Sequence, residues 1–283
     1  MSNGSPNYNW AKYKETIDFG QREVTEEPLA QGNSAYSKTM TINRILESDE
    51  ILRQVFLFLS LCDSEPLPIK AAVNFVKART SRQTEELIRA KILNSSLVTW
   101  LYSEDGAPGY VRVHKVVHEV LRRSLDSDFT DKVECVSVAI HVFHSVTAES
   151  ECNHLNESGH VCIMLRRITA HCKVLHAILT NMFAGKDVLM NELTAFLPPE
   201  NFVSWLCSTA SLCCDLSNPS RAILFSESAC DFIHYVSTTR EGHLVKAGVF
   251  AVHGIVLSMS CQYKSSLSAH TEAANIYRAV YGE

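Results

Sequence analysis

The sequence predicts a mainly α-helical protein with one small β element. Three observations lead there. Apolar residues recur at helical spacing through most of the chain, as at Ile51, Val55, Phe58 and Leu59. With 11 Gly and 8 Pro in 283 residues, the chain is too poor in turn formers for an all-β architecture. One stretch only, LVTWLY (97–102) and YVRVH (110–114) around SEDGAPG (103–109), combines β-branched and aromatic residues with turn chemistry, which predicts a β-hairpin.

The helices follow in order. The first runs over 51–62 and is stopped by Asp63-Ser64-Glu65-Pro66 and by Pro68, because Pro cannot continue a helix and pushes its predecessor out of the α region. A second spans 68–78 with Pro68 in its first turn, and a third spans 82–93 behind a Ser81 cap. The hairpin comes next, and the helix KVVHEVLRRSL (115–125) closes the unit. Three helices, a two-stranded hairpin and a further helix predict a winged helix over 40–125, preceded by a polar segment, 1–39.

Beyond residue 125 the composition changes. The first part is close to neutral, and Cys62, His114 and His118 are its only cysteine and histidines; the rest is acidic and holds the other cysteines and histidines. The acidic SLDSDFTD (124–131) marks the joint. The second part is helical throughout and repeats with an offset of 44. Leu206 falls on Phe250, Ala210 on Gly254, Cys213 on Leu257, Ala222 on Ser266, Ile223 on Leu267 and Ala229 on Ala273. Small residues recur where two helices approach closely, and large ones fill the gaps. That pattern predicts a solenoid of helical hairpins over 196–283, with a helical lead-in over 126–195.

Composition narrows the function. Hydrophobic residues make up 46% and charged residues 20%, enough for a core and too apolar for disorder. With 26 basic and 31 acidic side chains, the net charge of −5 speaks against gripping phosphates, so no nucleic-acid partner is expected. The helix that would enter a DNA groove carries Glu85 and Glu86 beside Arg82, Arg89 and Lys91, which points the same way. Ten cysteines without a single C-x-x-C, behind a start (MSNGSPNYNW) lacking a basic-then-apolar run, predict reduced thiols in the cytoplasm. The longest segment without charge, 247–263, is shorter than the ~20 apolar residues of a bilayer span, so no membrane partner is expected.

Five segments carry family resemblances. FLFLSLC (56–62), PLPIKAAVNFV (66–76), KILNSSLV (91–98) and GYVRVHKVVHEVLR (109–122) together resemble the winged-helix part of an NB-ARC-type STAND nucleotide switch. YKSSLSAHTEAANIYRAVYGE (263–283) resembles the second helix of a tetratricopeptide repeat of the kinesin-light-chain kind. The resemblance covers about 40–125 and 200–283, and it implies a signalling protein whose repeats hold a protein or peptide on their concave face.

Carried over residue by residue, the family's nucleotide chemistry is mostly missing. The only Gly-Lys pair is Gly185-Lys186, with Thr180 in place of the first P-loop Gly and Asp187 in place of Ser/Thr. Glu27-Pro28-Leu29-Ala30 is similar to the Gly-Leu-Pro-Leu-Ala motif but stands too near the winged helix. His114 matches the Met-His-Asp position, whose His reaches the β-phosphate of ADP in the family, although Lys115 replaces the Asp. The chain therefore reads as a piece of a longer switch protein, in which ADP binding and oligomerisation would reside, or as a descendant that lost its motor. It is expected to be no enzyme and to hold no cofactor. The alternatives are the regulatory half of an ADP/ATP-dependent STAND ATPase and a winged-helix DNA-binding regulator.

The remaining sites have structural readings. HKVVHE (114–119) is neither H-E-x-x-H nor H-x-x-E-H. Cys152, His154, His160 and Cys162 match no standard zinc spacing, while Cys162, Cys172 and His176 fall in apolar stripes with Leu165, Ile168, Leu175 and Leu179, so no metal is expected. Cys213-Cys214 reads as packing, and no G-x-S-x-G elbow is present. The groove-facing residues expected on the repeat alignment are Asn201, Ser208 and Lys246.

Overall fold

Asp49 opens the first helix. Its carboxylate accepts the Leu52 N–H at 3.2 Å, satisfying one of the donors every helix leaves unpaired at its start, and it pairs with Lys91. Helix α1 (Glu50–Ser60) then buries Ile51, Val55, Phe58 and Leu59, the stripe expected from spacing. The structure is a computed structural model that describes residues 42, 44, 46–80, 82–102, 108–124, 129–153, 159–183 and 194–282. The expected polar segment 1–39, Ser81, the hairpin tip at 103–107 and the joint at 125–128 lie outside these residues. Contacts divide the chain into Met1–Thr41 and Ile42–Glu283, and the second unit is described here.

Pro68 does not enter a helix. It belongs to a two-residue strand, β1 (Leu67–Pro68), which pairs antiparallel through Leu67↔Val111 and Pro68↔Tyr110. Proline lacks the N–H an inner strand must donate, and an edge strand does not need it. Helix α2 (Ile69–Arg79) follows directly. Helix α3 (Glu85–Asn94) begins later than expected because Thr84 is its cap, accepting the Leu87 N–H at 3.3 Å. Strands β2 (Val98–Tyr102) and β3 (Pro108–Val113) form the expected hairpin, with a register shift between Leu101 and Tyr102. The sheet order is β1-β3-β2, and α4 (Lys115–Ser124) follows.

The rest of the described chain is helical: α5 (Phe129–Asn153), α6 (Gly159–Phe183), α7 (Pro199–Asp215), α8 (Pro219–Phe232), a 3-10 turn (Ile233–Tyr235), α9 (Arg240–Met259) and α10 (Tyr263–Tyr281). The protein is thus mainly helical with a small three-stranded sheet. Among the described residues one hydrophobic core draws on buried side chains from Ile42 to Val256. Phe58 stacks on Phe75 with ring centroids 4.5 Å apart and meets Phe143 of α5 at 5.5 Å.

The offset of 44 holds in the backbone. Helices α7 and α9 end at Asp215 and Met259; α8 and α10 begin at Pro219 and Tyr263. Both linking turns pass through a left-handed residue, Ser217 (φ 54°) and Cys261 (φ 61°). Both return the same bond, from the Asn218 N–H to the Cys213 carbonyl and from the Gln262 N–H to the Leu257 carbonyl, each 2.8 Å. The aligned small residues sit at the crossings. Ala210 and Ala222 are fully buried, and in the second hairpin the Ser266 hydroxyl donates to the Gly254 carbonyl at 2.7 Å.

Helix α9 corrects the hydropathy reading. It begins at Arg240, and over its length it is apolar enough to cross a bilayer by length and composition, which the charge-free window 247–263 did not reach. Within the protein it packs against α7, α8 and α10, burying Ala247, Val249, Gly254, Val256 and Leu257.

Candidate functional site

Pro199 starts α7, and Thr239 caps α9, its hydroxyl oxygen accepting the Gly242 N–H at 3.1 Å; these two first helices carry the expected groove residues. Asn201 is exposed and Ser208 half-buried, two turns apart on one face of α7. Lys246 is half-buried on α9 near the Glu200 carboxylate. Glu200 Oε1 accepts the Ser237 backbone N–H at 2.9 Å, and this bond, opposed by burial and aided by Lys246, holds the Glu200 carboxyl below the usual glutamate range. Lys246 is therefore brought to the start of α7, next to Asn201 in sequence. It does not occupy the equivalent position in the repeat: 44 residues earlier stands Phe202, which is buried, whereas Asn201 and Ser208 align with Val245 and Val252.

His114 lies outside this face. It precedes α4, is exposed, and its Nδ1 accepts the Val116 N–H at 3.3 Å while its carbonyl accepts that of His118, so it serves as a local cap. His118, expected as an ordinary helix position, is buried and its Nε2 lies 3.0 Å from the Cys62 carbonyl.

A polar cluster that spacing did not single out surrounds the chain between α1 and β1. His171 of α6 is fully buried, accepts the Asp63 N–H on Nδ1 at 3.0 Å, and stacks on Phe143. Arg122 of α4 donates to the Cys62 carbonyl at 2.9 Å. Burial holds the His171 ring neutral, with its pKa lowered to about 4 despite the contact with Pro66 and the nearby Asp63 charge. The signal in the sequence was a histidine beside Ile168 and Leu175 on an apolar stripe, where a buried ring needs a partner for its nitrogen. A second tie is Arg79 of α2. Its Nε donates to Gln54 at 3.0 Å, Nη2 donates to Asp131, and Nη1 forms an ion pair with Glu134 at 2.9 Å outside hydrogen-bond alignment.

Cys135, Cys172, Cys213 and Cys214 are buried within helices and Cys207 and Cys230 are half-buried, whereas Cys261 is exposed in the turn between α9 and α10. Burial pushes Cys172, Cys207 and Cys213 up to about 12, so at neutral pH they stay protonated and present no thiolate. Among the described residues no group of three or more His, Cys, Asp or Glu is placed to hold a metal. The side chains of Cys152, His154, His160 and Cys162 lie outside the described set. Comparison with protein-family models, with curated proteins and with solved structures returns no match to this chain.

Proposed function

We propose that this chain is a non-catalytic interaction and regulatory region of a STAND-type signalling protein, in which a winged helix is followed by TPR-like hairpins that hold a protein partner in the cytoplasm. The observation carrying this reading is the element order: helix–strand–helix–helix–strand–strand–helix with sheet order β1-β3-β2, and after it hairpins repeating every 44 residues with the same turn. Stacked hairpins present extended faces suited to a peptide or a partner helix. The protonated thiols and the occupied ring nitrogen of His114 support a binding role over chemistry. Lys91, tied to Asp49, and the acidic start of α3 support a protein partner over a nucleic acid.

The test uses the double variant N201R/S208R. A partner that co-purifies at fixed stoichiometry with the parent should be lost from it and kept by the exposed control Glu272→Arg. Equal recovery by all three overturns the assignment of this face. Calorimetry at millimolar ADP separates the rival reading, a nucleotide-regulated half: it predicts binding heat that His114→Ala abolishes, whereas the interaction reading predicts none.

A further inference from the structure

We infer that the open flank of the second hairpin is a docking groove for one more α-helix, supplied by a partner protein: apolar and rich in valine and alanine along one face, antiparallel to α10, with a Ser, Asp or Glu side chain opposite His270. The repeat is the basis. In the first hairpin, α9 packs against both α7 and α8. The positions of α8 at that junction are covered. Ser226 is 1% exposed, with its hydroxyl 3.1 Å from His253 Nδ1 of α9. Ile223 and Cys230 are packed against the core, and Cys207 of α7 lies beside Cys230.

Moving 44 residues along the chain gives Leu267, His270 and Ala274 on α10 and Ala251 on α9. The residue classes persist: a branched aliphatic at 223 and 267, a hydrogen-bonding side chain at 226 and 270, and small residues at 230/274 and 207/251. The cover is gone, however. Leu267 is 69% exposed and His270 is open to solvent. Ile255, 50% exposed, and Tyr277 extend the same two stripes at helical spacing. A Cβ built on Gly248, one turn before Ala251, meets nothing within 4 Å, so a helix can approach α9 closely there. A lone exposed leucine needs no explanation; an uncovered copy of a covered surface does.

The occupant's chemistry follows from what fills the first groove. Helix α9 presents Val245, Val249, Val252 and Val256 together with a histidine. In the second groove the histidine belongs to the receiving wall, so the hydroxyl or carboxylate must come from the incoming helix. Among the described residues, the helix of a second copy that matches this pattern is α9, and its Val249 and Val256 are already buried within its own chain, 1% and 0% exposed. The inference rests on the repeat and is independent of the face carrying Asn201 and Ser208.

The probe is a fluorescein-labelled peptide of residues 240–259 with His253→Ser, stapled on its polar face and flanked by lysines, titrated with the full chain. Saturable binding is expected, weakened at least tenfold by Leu267→Glu and unchanged in N201R/S208R. The Leu267 side chain is exposed, so the variant should keep its circular dichroism and melting temperature. No saturable binding, or binding indifferent to Leu267→Glu, overturns the proposal. Sedimentation of the unliganded chain should give a monomer; a dimer that Leu267→Glu dissociates means a second copy holds the groove and overturns the choice of partner. Failure of the Asn201/Ser208 test alone would leave this groove standing.

Discussion

His171 accepts the Asp63 N–H only while its Nδ1 is unprotonated, and full burial shuts its ring off from the solvent that would stabilise a charge. Burial lowers its pKa from 6.5 to about 4, so between those values the unfolded chain binds a proton that the folded chain refuses. Stability is therefore complete above pH 6.5 and declines as pH falls toward 4. At one pKa unit per 1.36 kcal/mol, His171 alone accounts for about 3 kcal/mol. Burial lowers His118, His144, His176 and His253 as well, which steepens the decline. Urea titrations from pH 7.5 to 4.5 should show it, with a shallower slope in His171→Gln; equal slopes would assign the acid sensitivity elsewhere.

At the scale of the element, the entry into α9 leaves no room at Gly242 for a side chain. Thr239 caps the helix, and a Cβ on Gly242 would lie 2.2 Å from the Ser237 carbonyl oxygen, a backbone atom that cannot swing aside. Gly242→Ala is expected to cost about 2–3 kcal/mol, measured by urea denaturation, although alanine is the better helix former. Gly254 contrasts with it: the atoms an added Cβ would meet there belong to the His270 side chain, which can turn about its own bonds where a backbone carbonyl cannot. The repeat that places these glycines was legible because Ala210, Ala222, Gly254 and Ser266 are small where helices cross. The turns between the helices were not. Ser217 and Cys261 adopt a left-handed conformation that usually draws Gly or Asn, and side-chain identity gave no sign of it. Strand β1 was equally hidden, since two residues ending in proline carry no period to read. His171 was passed over because its role depends on a backbone N–H more than a hundred residues away.

Across the whole molecule, the sheet-bearing part and the helical part share one core, and Arg79 fastens them through a polar chain. Glu50 accepts from Gln54 at 2.7 Å, Gln54 accepts from Arg79, and Arg79 reaches Asp131 and Glu134 of α5. The guanidinium side chain is 8% exposed while both carboxylates are nearly half exposed, so solvent screens the pairs but not the cost of an orphaned Gln54. Arg79→Ala should destabilise the protein by about 2 kcal/mol in urea melts. Arg79→Lys should recover little of it, because one ammonium cannot span three acceptors as a planar fork does. Recovery to parental stability by lysine would reduce the tie to simple charge.

The paired turns at Ser217 and Cys261 also set how the two hairpins close. A left-handed non-glycine residue costs backbone energy, and both turns meet that cost at the same phase, with the same return bond. The bond gives one of the last carbonyls of α7 and of α9 a partner inside its own turn, so that group does not depend on a neighbouring element to satisfy it.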